Sequence, residues 1–394
     1  MLLVLRQIWA VVKINLLSLT QRVWMSLSAS IAIGLVVFVL LGALALENGF
    51  RQTLNNSGSP DIAVVLRAGS ESELNSVLLH EQQNLIAAGP GIAEIEGKVL
   101  VSPEMYVVVD SLKKSTQTKA SLSLRGIVPA ALAARHGIGI VGGRMFAPGS
   151  NELVVGRRIA DEFEGYSLGS TVRLRNVEWR VVGIFEAAGS VFESEIWADL
   201  HVVQSLFNRG NVVQAMRVRL KTPDSIEALK NYSKSEIRLN IDIKSEQEFY
   251  ADQAKVSSDL INYIGKPLAL IMALGALAAA LNAMYASVAG RAREIATLRV
   301  IGFGRLAVFA GTLAESFVLA LIGALIGAVL AYLTFNNFSV STMGGNMSQL
   351  VFTMQLSTSQ LVQGTAWSCV LGFLGGLFPA VRAARQPLTI ALGE

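Results

Sequence analysis

Cysteine, histidine and charge are all scarce in this chain, and each scarcity excludes something. Cys369 is the only cysteine among 394 residues, so no disulfide can close within the chain. His80, His136 and His201 stand far apart, with no HExxH-like pattern and no neighbouring cysteine, so no metal site is expected. Charged residues make up 16% and hydrophobic residues 52%. An ordinary soluble domain is about one-quarter charged, so the deficit points to a membrane protein. The basic residues sit beside apolar runs and form no aromatic-interleaved stripe, which argues against a nucleic-acid partner. No G-x-x-x-x-G-K-[ST] is present to cradle phosphates on backbone amides, and no GxSxG to present a nucleophile. Asp161, Glu162 and Glu164 crowd one short stretch and make no spaced acid–base pair. Neither a catalytic residue nor a cofactor site is expected.

Long apolar runs, by contrast, are plentiful. A bilayer core of about 30 Å takes about 20 apolar residues of helix. Four stretches qualify: 23–46, 267–289 (within a span taken as 263–289), 306–335 and 361–381, the second entered through Pro267, which suits a first helical turn. The first run is longer than the roughly 7–15 apolar residues of a signal peptide, so it reads as a retained anchor, with cleavage the alternative. Arg6, Lys13 and Arg22 precede the first run; Arg291, Arg293, Arg299 and Arg305 lie between the second and third; Arg382 and Arg385 follow the fourth. Residues 336–360 carry no lysine or arginine. By the positive-inside bias, both termini and segment 290–305 face the cytoplasm, and residues 47–262 and 336–360 lie outside. Residues 1–22 are too broken by charge to span. Leu5, Ile8 or Trp9, Val12, Leu16 and Leu19 oppose Arg6, Lys13 and Gln21, which suits a helix lying on the lipid surface or, alternatively, an extension of the first span.

The 47–262 insert is large enough for one or two domains with cores of their own. Residues 60–70 read as a strand, 71–88 as a helix stopped by Gly89-Pro90-Gly91, and 96–110 as one or two strands. Near its far end the order recurs, with a strand in 212–221, a helix in 225–234 and a strand in 237–246. The middle, about 139–210, reads as strand and turn throughout. Val172 and Leu174, then Val177, Trp179 and Val181, alternate around Arg175-Asn176 as a hairpin does. The expected fold class is therefore an α-helical membrane protein with four transmembrane helices. A large α+β extracytoplasmic domain, two β-α-β units bracketing a β-rich subdomain, is inserted after the first helix. That domain is expected to bind and not to transform what it binds.

Segment 290–305, "GRAREIATLRVIGFGR", sets four arginines between two spans. Ile295, Leu298 and Ile301 or Gly302 recur at helical spacing with arginines opposite, and Gly302 is a suitable stop. This predicts a short amphipathic helix; the alternative is that the arginines only enforce topology. Glu315 is the one ionisable residue well inside an apolar run, and a lone carboxylate makes a poor proton relay. With no nucleotide site in the sequence, energy is expected from a separate polypeptide, delivered at 290–305.

These residues resemble the signature of the FtsX-like, MacB-like (type VII) ABC transporter permeases, in which R-x-x-E-I-A-T-L-R-A-I-G follows the second span. "LAESFVLALIGALIGAVLAYL" is similar to that family's third span and "FPAVRAARQPLTIALGE" to its ending. "GGRMFAPGSNELVVGRRIADEF", "LGSTVRL" and "WRVVGIFEAAGSVFESEIWADL" resemble the MacB-type periplasmic core domain. Val300 stands where alanine is usual, and "ALGE" lacks the family's arginine. The resemblance implies a non-catalytic permease subunit in the bacterial inner membrane, working as a homodimer or as half of a heterodimer with a paralogous permease. Separate ATPase subunits would bind the ATP and Mg. Arg291, Arg293, Glu294, Ile295, Leu298, Arg299 and Gly302 would meet the ATPase on a coupling helix. The spans, with Glu315, Gly323 and Gly327 serving packing or function, would pass a mechanical stroke outward. "GALIG" (323–327) suits close helix packing, either at a dimer interface or within one subunit. An amphiphile, peptide or lipoprotein would be moved from the periplasmic side, with a periplasmic adaptor as a possible partner. The alternatives are a regulator of an external enzyme such as a peptidoglycan hydrolase, and an anchored adhesin or sensor with no ATPase.

Overall fold

The computed structural model describes residues 2–343 and 348–386. Numbered along the chain, the helices are α1 (Leu2–Ser18), α2 (Val23–Asn55), α3 (His80–Ala87), α4 (Arg157–Glu162), α5 (Leu200–Leu206), α6 (Ser225–Ser235), α7 (Glu246–Gly290), α8 (Ala292–Val300), α9 (Arg305–Phe335) and α10 (Thr358–Arg385). The chain divides into two compact units. The first holds Met1–Asn48, Asp259–Phe338 and Met354–Glu394; the second holds Gly49–Ser258 and Ser339–Thr353.

In the first unit, four helices are long and apolar enough to cross a membrane: Ser26–Asn55, Leu270–Gly290, Arg305–Phe335 and Thr358–Arg385. Helices suit this because every backbone polar group within the span is satisfied internally. Two boundaries differ from the sequence reading. α2 runs on to Asn55, since nothing before Gly58 and Pro60 breaks it. α7 is 45 residues long and carries Pro267 inside it, so that proline does not open the helix. The Glu246–Gly265 stretch upstream is itself helical, and one lost backbone bond does not outweigh the turns on either side. α1 is a helix in its own right, set off from α2 by a 3-10 turn over Leu19–Arg22. Its buried Val11 and Asn15 face α9, where a Cβ on Gly311 would lie 2.6 Å from Val11 Cγ1, while Leu3, Leu5, Trp9, Ile14 and Leu17 are exposed.

A seam of glycines brings α2 and α9 together. A Cβ at Gly323 would stand 2.5 Å from the Ser30 carbonyl oxygen, and one at Gly327 would stand 2.3 Å from that of Gly34. With so little driving force for helix association in lipid, close backbone approach and small polar groups hold such a seam. The Ser30 hydroxyl donates to the Leu319 carbonyl (3.1 Å) and the Ser368 hydroxyl to that of Ala320 (2.8 Å). Gly323 and Gly327 of "GALIG" thus pack against α2 of the same chain.

The second unit is built on one sheet. Its strands are β1 (Ile62–Arg67), β4 (Val101–Leu112), β5 (Lys119–Ile127), β6 (Gly139–Gly143), β7 (Glu152–Gly156), β8 (Thr171–Leu174), β9 (Val177–Glu186), β10 (Glu195–Asp199), β11 (Ala215–Arg219) and β12 (Ile241–Ser245). A separate small ladder joins β2 (Glu94–Ile95) to β3 (Lys98–Val99). The main order is β12-β1-β11-β4-β5-β10-β7-β9-β6, with β8 on β9. The two expected β-α-β units, β1-α3-β4 and β11-α6-β12, do not sit apart: β1 lies between β11 and β12, antiparallel to both. β4 then joins the halves, pairing β11 through Val101–Glu104 and β5 through Met105–Leu112. The β-rich middle is thus a continuation of the sheet, and it also contains α4 and α5. The hairpin is present, with Leu174 opposite Val177 and Arg175 at φ 53°. α3 covers only His80–Ala87, because Ser76 to Leu79 is extended and Leu78 bridges Val213.

Residues 336–360, read as a plain loop, contain a hairpin of β13 (Ser339–Met343) and β14 (Gln349–Thr353) that belongs to this second unit. Val351 is part of the unit's main apolar core. Its N–H donates to Ser194 Oγ (3.0 Å), and Arg158 donates to its carbonyl. Phe352 meets Phe50 edge-on at 5.6 Å, and the Tyr106 and Ser348 hydroxyls are 2.7 Å apart.

The glycine seam makes a direct prediction. Gly327→Val forces a side chain onto the Gly34 carbonyl and should destabilise the helical unit by about 1–3 kcal/mol, the usual cost of overpacking. Gly275→Val, at a position with nothing within 4 Å, should be near neutral. Thermal unfolding of both full-length variants in detergent checks this; equal midpoints would refute the seam.

Candidate functional site

The segment between the second and third spanning helices folds as α8, entered at Arg291, whose backbone (φ −111°, ψ 11°) breaks the run of α7. Arg291 is 3% exposed. Its Nη1 donates to Glu315 Oε2 (2.8 Å), its Nε to Glu294 Oε2 (3.1 Å) and its Nη2 to Asn15 Oδ1 (2.5 Å). The Ser287 hydroxyl donates to the other Glu315 oxygen (3.1 Å). A buried guanidinium is tolerable only when its charge and its donors are matched in this way. Ile295 packs in a buried cluster with Val288, Val308 and Ala383. Arg299 Nη1 donates to the carbonyls of Ala384 (3.1 Å) and Gln386 (3.2 Å), closing the C-terminal end of α10, where orphan carbonyls and the helix dipole both favour a cation. Gly302, at φ +109°, ends α8. The Gln7 side chain then holds the turn from α1, donating to Gly302 O (3.2 Å) and accepting from Gly304 N (3.3 Å).

The seven residues expected to form one contact surface therefore divide. Arg291 and Ile295 are buried, and Arg299 is half-buried and engaged with α10. Arg293, Glu294 and Gly302 are exposed and Leu298 is half-buried. Of the expected apolar stripe, Ile295 is buried and Leu298 half-buried, but Ile301 is 71% exposed. Two of the four arginines turn inward because α9, α1 and α10 offer them acceptors, which helical periodicity alone cannot reveal. Glu315 meets Arg291, while Gly323 and Gly327 lie in the α2–α9 seam. Gln7 and Asn15 escaped the sequence reading. Their one signal is polarity on the α1 face that otherwise carries Ile8 and Val11. The departure at "ALGE" falls in residues 387–394, outside the described residues.

The second unit holds a buried charge cluster that the sequence reading also missed. Arg125 takes Glu195 in a two-point grip (2.8 and 2.6 Å) and donates to Glu73 and Glu104 (both 2.8 Å). Arg217 donates to Glu73 (2.9 Å), Glu104, Glu246 (2.8 Å) and the Tyr250 hydroxyl (3.1 Å). Arg135 donates to Glu104 (2.6 Å) and lies 5.0 Å over the rings of Phe192 and Trp197. Burial alone would raise the Glu73 carboxyl, but Arg125 and Arg217 outweigh it and hold it well below the usual carboxylate range. Glu104 is lowered as well: burial opposes its ionisation, and Arg135, Arg217 and Arg125 overcome that. Beside the cluster, Tyr106, Arg125, Glu195, Tyr250, Gln253 and Gln349 line part of a cavity of about 50 Å³. That volume suits ordered water, not a substrate, since ligand pockets run to about 300–1,000 Å³. Among the described residues, no grouping of histidine, cysteine or acid is fit to hold a metal ion.

Four apolar helices, with a mixed α/β domain placed after the first, mark a multi-pass membrane protein. Residues 26–235 match the MacB-like periplasmic core domain and residues 268–388 match the FtsX-like permease C-terminal family, so the chain belongs to the FtsX-like, MacB-like ABC transporter permeases. It is 24% identical over 233 residues to the uncharacterized ABC transporter permease MJ1507 of Methanocaldococcus jannaschii, covering 58% of each chain. It is 23% identical over 384 residues to the macrolide export ATP-binding/permease protein MacB of Bdellovibrio bacteriovorus, covering 89% of this chain and 56% of that one. It is also 23% identical over 251 residues to the uncharacterized ABC transporter permease YknZ of Bacillus subtilis, covering 61% of each. The chain thus spans between 56% and 61% of the length of these relatives. Among solved structures, the periplasmic region of MacB from Actinobacillus actinomycetemcomitans aligns with TM-score 0.38 at 13% identity, over 50% of this chain and 94% of that one.

The charge cluster yields a pH prediction. Glu73 and Glu104 are lowered in the folded state, so their stabilising effect is complete above the ordinary carboxylate value of 4.5. It is lost as pH falls from there through the lowered values. Glu104→Gln should remove part of this acid sensitivity and, by leaving buried guanidiniums under-compensated, cost about 3–5 kcal/mol at neutral pH. Hydrogen exchange of β4 and β11 in the full-length protein between pH 7 and pH 3 measures both effects; a pH-independent opening energy would contradict the assignment.

Proposed function

We propose that this chain is the membrane-spanning subunit of an inner-membrane ABC complex that passes ATP-driven motion from separate ATPase subunits to its periplasmic domain. The cargo is an amphiphile, peptide or lipid-anchored protein taken from the periplasmic side. Both termini and α8 face the cytoplasm, and the active unit is a pair of permeases, either two copies or one copy with a paralogue. A periplasmic adaptor protein completes the export path.

The observation that carries this reading is the construction of α8. Its inward side is tied to α1, α9 and α10 by Arg291, Ile295, Arg299 and Gln7. Its outward side offers Arg293, Glu294, Thr297, Val300 and Ile301 to a partner. A helix that served only to close a loop would need neither feature. Proximity of opposite charges steers and registers a docking partner, so the exposed Arg293–Glu294 pair is the natural contact. The name of the MacB relative, an ATP-binding/permease protein, supports a nucleotide-driven process. In this reading ATP and Mg are bound by the ATPase subunits, and the 394 residues here carry no G-x-x-x-x-G-K-[ST].

Arg293→Glu should lower permease-stimulated ATP hydrolysis by about tenfold or more, the scale of losing one close charge pair at an interface and gaining a like-charge contact. Membrane insertion should be unchanged. A single cysteine at Thr297 in a Cys369→Ser background should react with a membrane-impermeant thiol reagent only from the cytoplasmic side. Labelling from the periplasm would overturn the orientation, and undiminished hydrolysis would overturn the docking role.

A further inference from the structure

Arg291 stands where the second span ends and α8 begins, and its guanidinium reaches three helices at once. Asn15 lies on α1, Glu294 on α8 and Glu315 on α9, and all three accept from its guanidinium. Ser287, in the last turn of α7, adds a fourth element through Glu315. Glu315 is 3% exposed and lies ten residues into α9 from Arg305. Charge at that place has no solvent to fall back on, so each partner is held where the other is. Glu294 differs from the others: its side chain is 55% exposed while it holds Arg291, which puts one end of the chain of contacts on the open face of α8. Planar guanidinium geometry fixes direction as well as distance, which a lysine or an apolar contact here would not.

We propose that Glu315 is a positioning residue for coupling. Through Arg291 it locks the start of α8 to α9 and α1, so that a push on α8 moves the inner end of α9 and does not merely tilt α8. This rests on the reading of α8 as the docking helix. The exposed face decides whether an ATPase subunit binds; the Arg291–Glu315 latch decides whether binding does work.

The test uses the full chain in lipid nanodiscs with the ATPase subunit that copurifies with it, reading subunit stoichiometry, and kcat and KM for ATP. Glu315→Gln keeps size but removes the charge and one of the two accepting oxygens. It should lower stimulated kcat at least tenfold with stoichiometry and KM for ATP unchanged, and Glu315→Asp should restore part of the loss. Arg291→Gln with Glu315→Gln should be no worse than Arg291→Gln alone, as expected of two groups acting as one unit. Should Glu315→Gln fail to fold, Asn15→Ala cuts one contact at the inner surface with both charges in place and should lower kcat about threefold. Wild-type kcat in Glu315→Gln, multiplying losses in the double variant, or loss of kcat only in step with lost stoichiometry would each overturn the latch. If instead Arg293→Glu leaves stoichiometry and kcat untouched, or no ATPase subunit copurifies, it is the docking reading that fails.

Discussion

A guanidinium that cannot reach water must be surrounded by acceptors, and that requirement organises both units of this protein. In the helical unit it gathers Asn15, Glu294 and Glu315 around Arg291. In the external unit it gathers Glu73, Glu104, Glu195 and Glu246 around Arg125 and Arg217, with Arg135 closing one side. Desolvating two charges costs several kcal/mol per ion, so neither cluster is a cheap source of stability. What such a cluster gives is geometry. A well-packed apolar core of equal volume would tolerate small slips, whereas a two-point carboxylate grip on a guanidinium does not. The clusters sit where slips would matter most: at the strand β4 that joins the two halves of the sheet, and at the break between α7 and α8.

Around these fixed points the rest of each unit is held by contacts of low directional demand. The α2–α9 seam depends on the absence of side chains at Gly34, Gly323 and Gly327, with serine hydroxyls returning to carbonyls of neighbouring helices. In the external unit, one apolar core runs through the sheet from Ala63 and Val65 to Trp179 and Val181 and takes in Val351 of the β13–β14 hairpin. Residues far apart in the chain are therefore needed for one domain to be complete, so the segment between the third and fourth spans is structural material for the external unit.

How much of this could be read in advance follows from range. The spans were legible because apolarity over 20 or more residues is a local property, and the β8–β9 hairpin because alternation about Arg175-Asn176 is local too. The end of α8 was legible from Gly302, which adopts a backbone angle that favours glycine. The inward turn of Arg291 and Arg299 was not, since their acceptors lie on α9, α1 and α10. The buried cluster was hidden for the same reason: Glu73 and Arg125 are separated by 52 positions and Glu73 and Arg217 by 144. Pro267 misled because proline usually opens or closes a helix, yet here helix-forming sequence flanks it on both sides. The β13–β14 hairpin was missed because its strands are five residues each and draw their stability from a core that the loop's own sequence does not contain.

α7 is the element where these themes meet. Its first residue, Glu246, is gripped by Arg217, and Tyr250 one turn on accepts from the same guanidinium. Its last turn contributes Ser287 to Glu315, and Arg291 follows immediately after it. The helix continues through Pro267 with the loss of one backbone bond. Fraying is the ordinary fate of helix ends, because the terminal N–H and C=O groups have no partners within the helix. Contacts to desolvated charges at each end limit that fraying. The same logic explains why Arg299 is spent on the last carbonyls of α10 and is not left on the open face of α8. An arginine there that floated in solvent would add a charge to the surface, whereas one bound to Ala384 and Gln386 makes α8 and α10 a single body. Arg293 and Glu294 stay on the open face, while Arg291 and Arg299 are bound inward.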